Sequence, residues 1–411
     1  MSFVEFLDEN SRQTLARFLS KGQDPRDIES LVRGADPDPD QLPGRLFPDK
    51  PERGGPISPH LASENARRWT ELVDQWTREG GTLQEATRRR IKGLARAGIP
   101  VSHRPTVWPR LLNSYYLWKE NEKDLATSVY KEYLGLEVDE KVLEQIAKDI
   151  GRTMPAHYRF QEERGQKALF CVLKAFAAHD TEIAYCQGMN APAALFLVAL
   201  QFDERLAFWS FYRFLKCYGS MYTENFYGLR LKSRTLHHLL AGIRGDIIKH
   251  LQLLGLDLLQ LTPGWFLPFF ATTLPVDLAL RIYDALFCEG PKMIYRAAIA
   301  IFIWAAEGHR LPDPSRATKA EYLQQYGERW PFAIGSPAYI AYFEAWAKTV
   351  PPGQVSLLAM PIEYAQIYLS QLPRHITDEV WFIDRCLRIK FTSDFLHKCE
   401  ASAKADIDAG I

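Results

Sequence analysis

No excess charge of either sign marks this sequence: 50 lysines and arginines face 50 aspartates and glutamates over 411 residues. A balanced chain has no global attraction for a polyanion or an anionic bilayer, so direct nucleic-acid binding is not expected and electrostatic recognition must come from a local patch. Cysteine is scarce, and no two of Cys171, Cys186, Cys217, Cys288, Cys386 and Cys399 stand at C-x-x-C spacing. Several lie in apolar surroundings such as ALFCVLKAF, which suits free thiols better than a disulfide framework or a zinc centre. The phosphate-loop pattern G-x-x-x-x-G-K-[ST], H-E-x-x-H and G-x-S-x-G are all missing, which disfavours the common autonomous hydrolases. Asp246, Asp257 and Asp277 have no spacing that assigns an acid and a base, and His237 and His238 read as part of a surface between helices, so no metal site is expected. The opening MSFVEFLDENSRQT places acids where a secretion signal needs a basic start and an apolar run, making cytoplasmic residence the expectation.

Long uninterrupted apolar runs are also few. A membrane-spanning helix needs about 20 mostly apolar residues. Three apolar stretches stand out, 185–202, 258–276 and 294–306, of which the first two nearly meet that length. The first opens on YCQGMN, Pro263, Pro268 and Pro275 punctuate the second, and Arg296 interrupts the third. All three are expected to be core helices, and no transmembrane segment is expected.

What the sequence has in quantity is helical periodicity. Trp69, Leu72, Val73 and Trp76 recur at three- and four-residue intervals, and similar patterns follow through 306, while the period-two alternation of half-buried strands is rare. The expected fold is all-α. Residues 1–60 form an N-terminal extension, with short helices before residue 34 and then a Pro/Gly/Asp-rich linker. A large helical domain covers 61–345, its core starting near 90, with an excursion at 309–335. Residues 346–411 supply further helices, near 361–371 and 376–398, packed on the same domain and ending in a mobile tail. RRRIK at 88–92 reads as the solvent face of a helix that buries Ile91 and Leu94.

Two segments carry chemistry. In VLEQIAKDIGRT, Val142, Ile146 and Ile150 form a buried stripe that leaves Arg152 at the helix end, with Asp149 three residues before it and Thr153 after it. An i,i+3 salt bridge explains Asp149 and Arg152 without function. The alternative is an arginine presented to a phosphate-bearing partner, since a guanidinium offers several donors to paired phosphate oxygens. In YCQGMNAP, Gln187 can both donate and accept, and so can orient a water. Gly188 permits a close approach, Tyr185 and Met189 anchor the loop, and Asn190 is expected to cap a helix beginning near Pro192. A plain surface amide and a plain helix cap account for the same residues.

Together these segments resemble the TBC domain, the catalytic domain of GTPase-activating proteins for Rab-family GTPases. GIPVSHRPTVW at 98–108 is similar to its N-terminal Arg-to-Trp signature, with Pro105 where glycine is usual. IAKDIGRT and YCQGMN are similar to its two finger-bearing patterns, and the texture of 262–290 to its later helices. The resemblance implies that Arg152 enters the nucleotide site of a GTP-bound Rab partner and that Gln187 positions the attacking water in trans. It implies support roles for Asp149, Thr153, Tyr185 and Gly188, a role for Arg104 in securing the Arg152 loop, and a packing role for Trp108. The partner would supply GTP and magnesium, so this chain would need no cofactor, and peripheral recruitment to endomembranes or to a trafficking complex would follow. The competing expectations are a noncatalytic helical adaptor for a small GTPase and, more remotely, an autonomous phosphohydrolase.

Overall fold

The computed structural model describes residues 59–78, 85–114, 123–222, 224–307, 356–359, 365, 369, 372–376 and 378–410. The N-terminal extension, the excursion at 309–335 and most of 361–371 lie outside the described residues. Every regular element among the described residues is a helix, and the fold is all-α.

Helices α1 (Pro59–Arg78) and α2 (Glu85–Ala97) pack on each other, burying Trp69, Leu72 and Trp76 on one and Thr87, Ile91 and Ala95 on the other, while Val73 and Leu94, which the periodicity also marks, are only partly buried. Arg88, Arg89 and Arg90 stand exposed on the far face of α2. A left-handed glycine, Gly98 at φ +110°, ends the pair, and its carbonyl accepts the Trp69 indole N–H at 2.9 Å. Helix α3 (Arg104–Leu111) then starts with Pro105 in its first turn, where a missing N–H costs nothing. Trp108 of α3 is fully buried, stacked on Tyr283 and edge-on to Phe196 and Phe287. It packs the first helices onto the core as expected.

The centre comprises α4 (Lys123–Gly135), α5 (Glu140–Ile150), α6 (Glu163–His179), α7 (Asn190–Ala199) and α8 (Glu204–Tyr218), with α6 touching the other four. Asp139 and Asp203 start α5 and α8 by accepting the N–H groups of Lys141 and Leu206. NAPAALFLVA is apolar on all sides, so α7 can only lie inside, and every residue but Val198 is buried.

Around this centre run α9 (Tyr227–Ile243), α10 (Gly245–Leu253), α11 (Val276–Glu289), α12 (Lys292–Glu307), α13 (Glu379–Arg388) and α14 (Ser393–Asp408). Asp284 of α11 is fully buried and ties distant segments together. It accepts two bonds from Arg104, at 3.2 and 3.0 Å, one from the Trp108 indole at 2.8 Å and one from the Ile99 N–H at 3.1 Å. Arg281 lies 3.5 Å from the same carboxylate and donates to the carbonyls of Ala95 and Arg96, closing the end of α2 onto α11.

Three sequence expectations need correction. The stretch 258–276 is not one core helix but two single helical turns, Leu258–Leu261 and Pro263–Phe266, followed by left-handed Phe269 and Phe270. Its prolines remove the amide donors that a continuous helix needs. The helix expected over 376–398 is two, α13 and α14, with a fresh cap at Thr392 whose hydroxyl accepts the Phe395 N–H. The tail is helical to Asp408, because Ala403 and Ile407 continue the buried stripe of Leu396 and Cys399. That stripe faces α9, where the Phe395 ring occupies the space beside Gly242 and Asp406 pairs with His238 at 2.8 Å.

Candidate functional site

Helix α5 buries Ile146, Asp149 and Ile150 and stops at Gly151, after which Thr153 N–H returns to the Ile150 carbonyl at 3.0 Å. The stop leaves Arg152 on the outside: its side chain is 58% exposed, while that of Asp149 is 3% exposed. The two form the expected ion pair, with Arg152 Nε and Nη2 both donating to Asp149 Oδ1 at 2.9 and 2.5 Å. One edge of the guanidinium is therefore held by a buried acid, and Nη1 takes no part in that pair. Arg152 has a fixed root and an open tip.

The other carboxylate oxygen, Oδ2, accepts the Tyr185 hydroxyl at 2.5 Å. Burial and the neighbouring Asp149 carboxylate push the Tyr185 phenol far above its usual range, so it stays protonated and donates. From Tyr185 the chain turns through Cys186, whose thiol burial pushes to about 11, and through Gln187 to Met189, which is fully buried with its sulfur 3.4 Å from the Cys186 N–H. Tyr185 and Met189 anchor the loop from below. Gln187 sits on top, exposed, and its side-chain amide makes no hydrogen bond among the described residues.

Gly188 is left-handed at φ +107°, and a Cβ there would lie 2.9 Å from Leu267 Cβ. Its expected permissive role is therefore a physical requirement. Leu267 also accepts a hydrogen bond from the Tyr222 hydroxyl, which fixes the surface that Gly188 approaches.

Asn190 does not cap a helix at Pro192: α7 begins at Asn190 itself, with no side-chain cap. Its amide turns inward instead, because an acceptor on the neighbouring loop lies within reach. Nδ2 donates to Thr153 Oγ1 at 2.7 Å, and Oδ1 accepts the Gly188 N–H at 3.2 Å. Thr153 in turn donates to the Asp149 carbonyl at 2.7 Å, so it fastens the arginine loop as expected. Arg104 does not: its partner is Asp284, so it secures the α2–α3 corner and not the loop of Arg152. Sequence reasoning misassigned Asn190 and missed Asp284 because Thr153 for the one, and Arg104, Trp108 and Ile99 for the other, lie far away in the chain.

The structure thus gathers Arg152, Thr153, Tyr185, Gln187 and Gly188 on two stitched loops with Asp149 in the last turn of α5 beside them, and leaves Arg104 and Trp108 to the fold. Beside the arginine loop, His157 packs against Tyr158, Phe160 and Phe202, and burial pushes its imidazole down to about 4. At neutral pH it adds apolar support without a second positive charge. Among the described residues no cluster of His, Cys, Asp and Glu could hold a metal ion, and no helix is long and apolar enough to cross a membrane.

Residues 101–308, just over half of the chain, match the family model of the Rab-GTPase-TBC domain. The chain belongs to this family. It is 34% identical over 254 residues to mouse TBC1 domain family member 2A, a match covering 60% of this chain and 26% of that protein. Zebrafish growth hormone-regulated TBC protein 1-A is 30% identical over 267 residues, covering 62% of this chain and 72% of that one. Of the mouse relative, then, the TBC chain spans only about a quarter. Two solved structures share the fold: the Ypt/Rab-GAP domain of Gyp1p, with a TM-score of 0.57 and 15% identity over 80% of this chain and 97% of that one, and the Chlamydomonas flagellar RabGAP TBC domain, with 0.55 and 20% over 80% and 93%. At that identity they speak for the fold alone.

Proposed function

We propose that this TBC protein accelerates GTP hydrolysis by a Rab-family GTPase, with Arg152 and Gln187 acting in trans on nucleotide held by the partner. The observation that carries the reading is the pairing of an exposed guanidinium rooted on a buried acid with an exposed amide on the loop stitched beside it. Hydrolysis of a phosphoanhydride needs charge stabilised on the phosphoryl oxygens and a water held in line. A planar guanidinium suits the first task and an amide that both donates and accepts suits the second. Asp149 and Tyr185 would not touch the nucleotide; they limit the arginine to orientations that point outward, lowering the entropy lost on engagement. The partner supplies GTP and magnesium, and the names of relatives, among them the Caenorhabditis elegans Rab GTPase-activating protein tbc-11, favour a Rab as that partner.

The test is single-turnover phosphate release from a panel of GTP-loaded Rab GTPases, with and without the full chain. We expect acceleration of at least one Rab and no GTP consumption by the chain alone. Arg152→Lys keeps the charge but loses the fork, and should forfeit much of the about 10³- to 10⁵-fold that an arginine finger contributes in GTPase systems generally. Gln187→Ala should also impair activation while binding persists. Binding without acceleration by the folded wild-type chain would replace the catalytic reading with that of an adaptor.

A further inference from the structure

We propose that Asn190 is a positioning residue for this reaction, locking the loop of Gln187 to the loop of Arg152 so that the two fingers are held as one unit. The inference rests on the proposed activity and goes beyond the two fingers by naming what fixes their relation. Asn190 is buried at the first turn of α7, and the directions of its hydrogen bonds follow from proton counting. The Thr153 hydroxyl has one proton, which goes to the Asp149 carbonyl at 2.7 Å, so Thr153 Oγ1 accepts from Asn190 Nδ2. Tyr185 likewise has one hydroxyl proton, given to Asp149 Oδ2 at 2.5 Å, so its 3.4 Å approach to Asn190 Oδ1 is a contact and not a second donation. The donor that Oδ1 receives is the Gly188 N–H at 3.2 Å.

One side chain therefore grips the residue after Gln187 by its backbone and the residue after Arg152 by its side chain. The Gly188 amide belongs to the left-handed turn that presents Gln187, and the Thr153 hydroxyl belongs to the turn that presents Arg152. Neither Ala nor Asp replaces this function. Alanine removes both of these hydrogen bonds, while aspartate keeps an acceptor for Gly188 but sets an anion against Thr153 Oγ1 and near Asp149. The loops remain joined by Tyr185 and Asp149, so each finger survives the loss of Asn190 and only their relation loosens.

The test uses the full chain and a GTP-loaded Rab that responds to it. For Asn190→Ala and for Thr153→Val, which breaks the same link from the other side, three quantities are measured: the single-turnover rate at saturating activator, the affinity for the GTP-bound Rab, and the affinity for the Rab loaded with GDP and aluminium fluoride. We expect the rate and the aluminium-fluoride affinity to fall together, by about 10- to 100-fold on the scale of a modest misplacement, with the GTP-state affinity held. In a Gln187→Ala background, Asn190→Ala should cost less than it does alone, because only one finger is left to misplace. A merely structural residue would instead lower both affinities in step with the folded fraction, and that outcome overturns the proposal. So does full activity in folded Asn190→Ala while Arg152→Ala is inactive, a result that leaves the catalytic reading standing. Should the wild-type chain activate no Rab, the catalytic reading fails and this proposal with it.

Discussion

At position 188 the backbone is left-handed, and the added methyl of an alanine would collide with Leu267 at 2.9 Å from its Cβ and 3.2 Å from its carbonyl carbon. Thirty-seven residues earlier, Gly151 has helical φ −62° and nothing within 4 Å of an added Cβ. The two glycines each adjoin a proposed finger, yet physics separates them. Gly188→Ala should destabilise the fold by about 1–3 kcal/mol and depress activation, whereas Gly151→Ala should leave stability within about 1 kcal/mol of wild type, on the favourable side. Urea denaturation and phosphate release on both variants check this, and equal behaviour of the pair would discard the argument. The link from Asp149 to Arg152 was legible because it lies within one helical turn. Asn190 was misread because an asparagine beside a helix start is ordinarily a cap, and only the folded chain brings Thr153 within 2.7 Å of it.

Between elements the decisive contact is the carboxylate of Asp284, to which Arg104, Trp108 and Ile99 all donate. Asp284→Asn would remove the carboxylate charge that pairs directly with buried Arg104 and Arg281. Breaking one partner of a buried pair costs about 3–5 kcal/mol. Asp406→Asn breaks the half-exposed pair with His238 and should cost under about 1 kcal/mol. Equilibrium unfolding separates the two, and a mild Asp284→Asn would show that the corner between α2, α3 and α11 is held by packing alone. Helices α1, α2, α7 and α12 were readable from periodicity or from continuous apolarity. The stretch 258–276 was not, because its composition is that of a core helix while its prolines, by spacing, admit only single turns. Arg104 was assigned to the wrong loop for a related reason: its partner lies 180 residues on, and nothing local announces it.

For the molecule as a whole, the family-model match ends at 308, whereas the described core does not. Phe382, Ile383 and Cys386 of α13 pack on α12, and Leu396, Cys399, Ala403 and Ile407 of α14 face α9. Each fully buried large apolar side chain contributes about 1.5–3 kcal/mol. A chain truncated after residue 308 should therefore melt earlier and self-associate, as read by thermal unfolding and light scattering, and a truncated chain as stable and as monomeric as the full one would refute this. The helical character of the whole and the packing of C-terminal helices on the same domain were expected from the sequence, but the return of the last helix along α9 as far as Asp408 was not, since ASAKADIDAG shows too little apolar material to suggest a buried face. That return has a temporal side. A seam between α9 and α14 cannot close until Asp408 has been synthesised, roughly 165 residues after Ile243, which at about 5–20 residues per second means about 10 to 30 s of translation. For that interval the face of α9 that α14 covers stands open, and whatever chaperone or neighbouring nascent chain reaches α9 first competes with the helix that covers it.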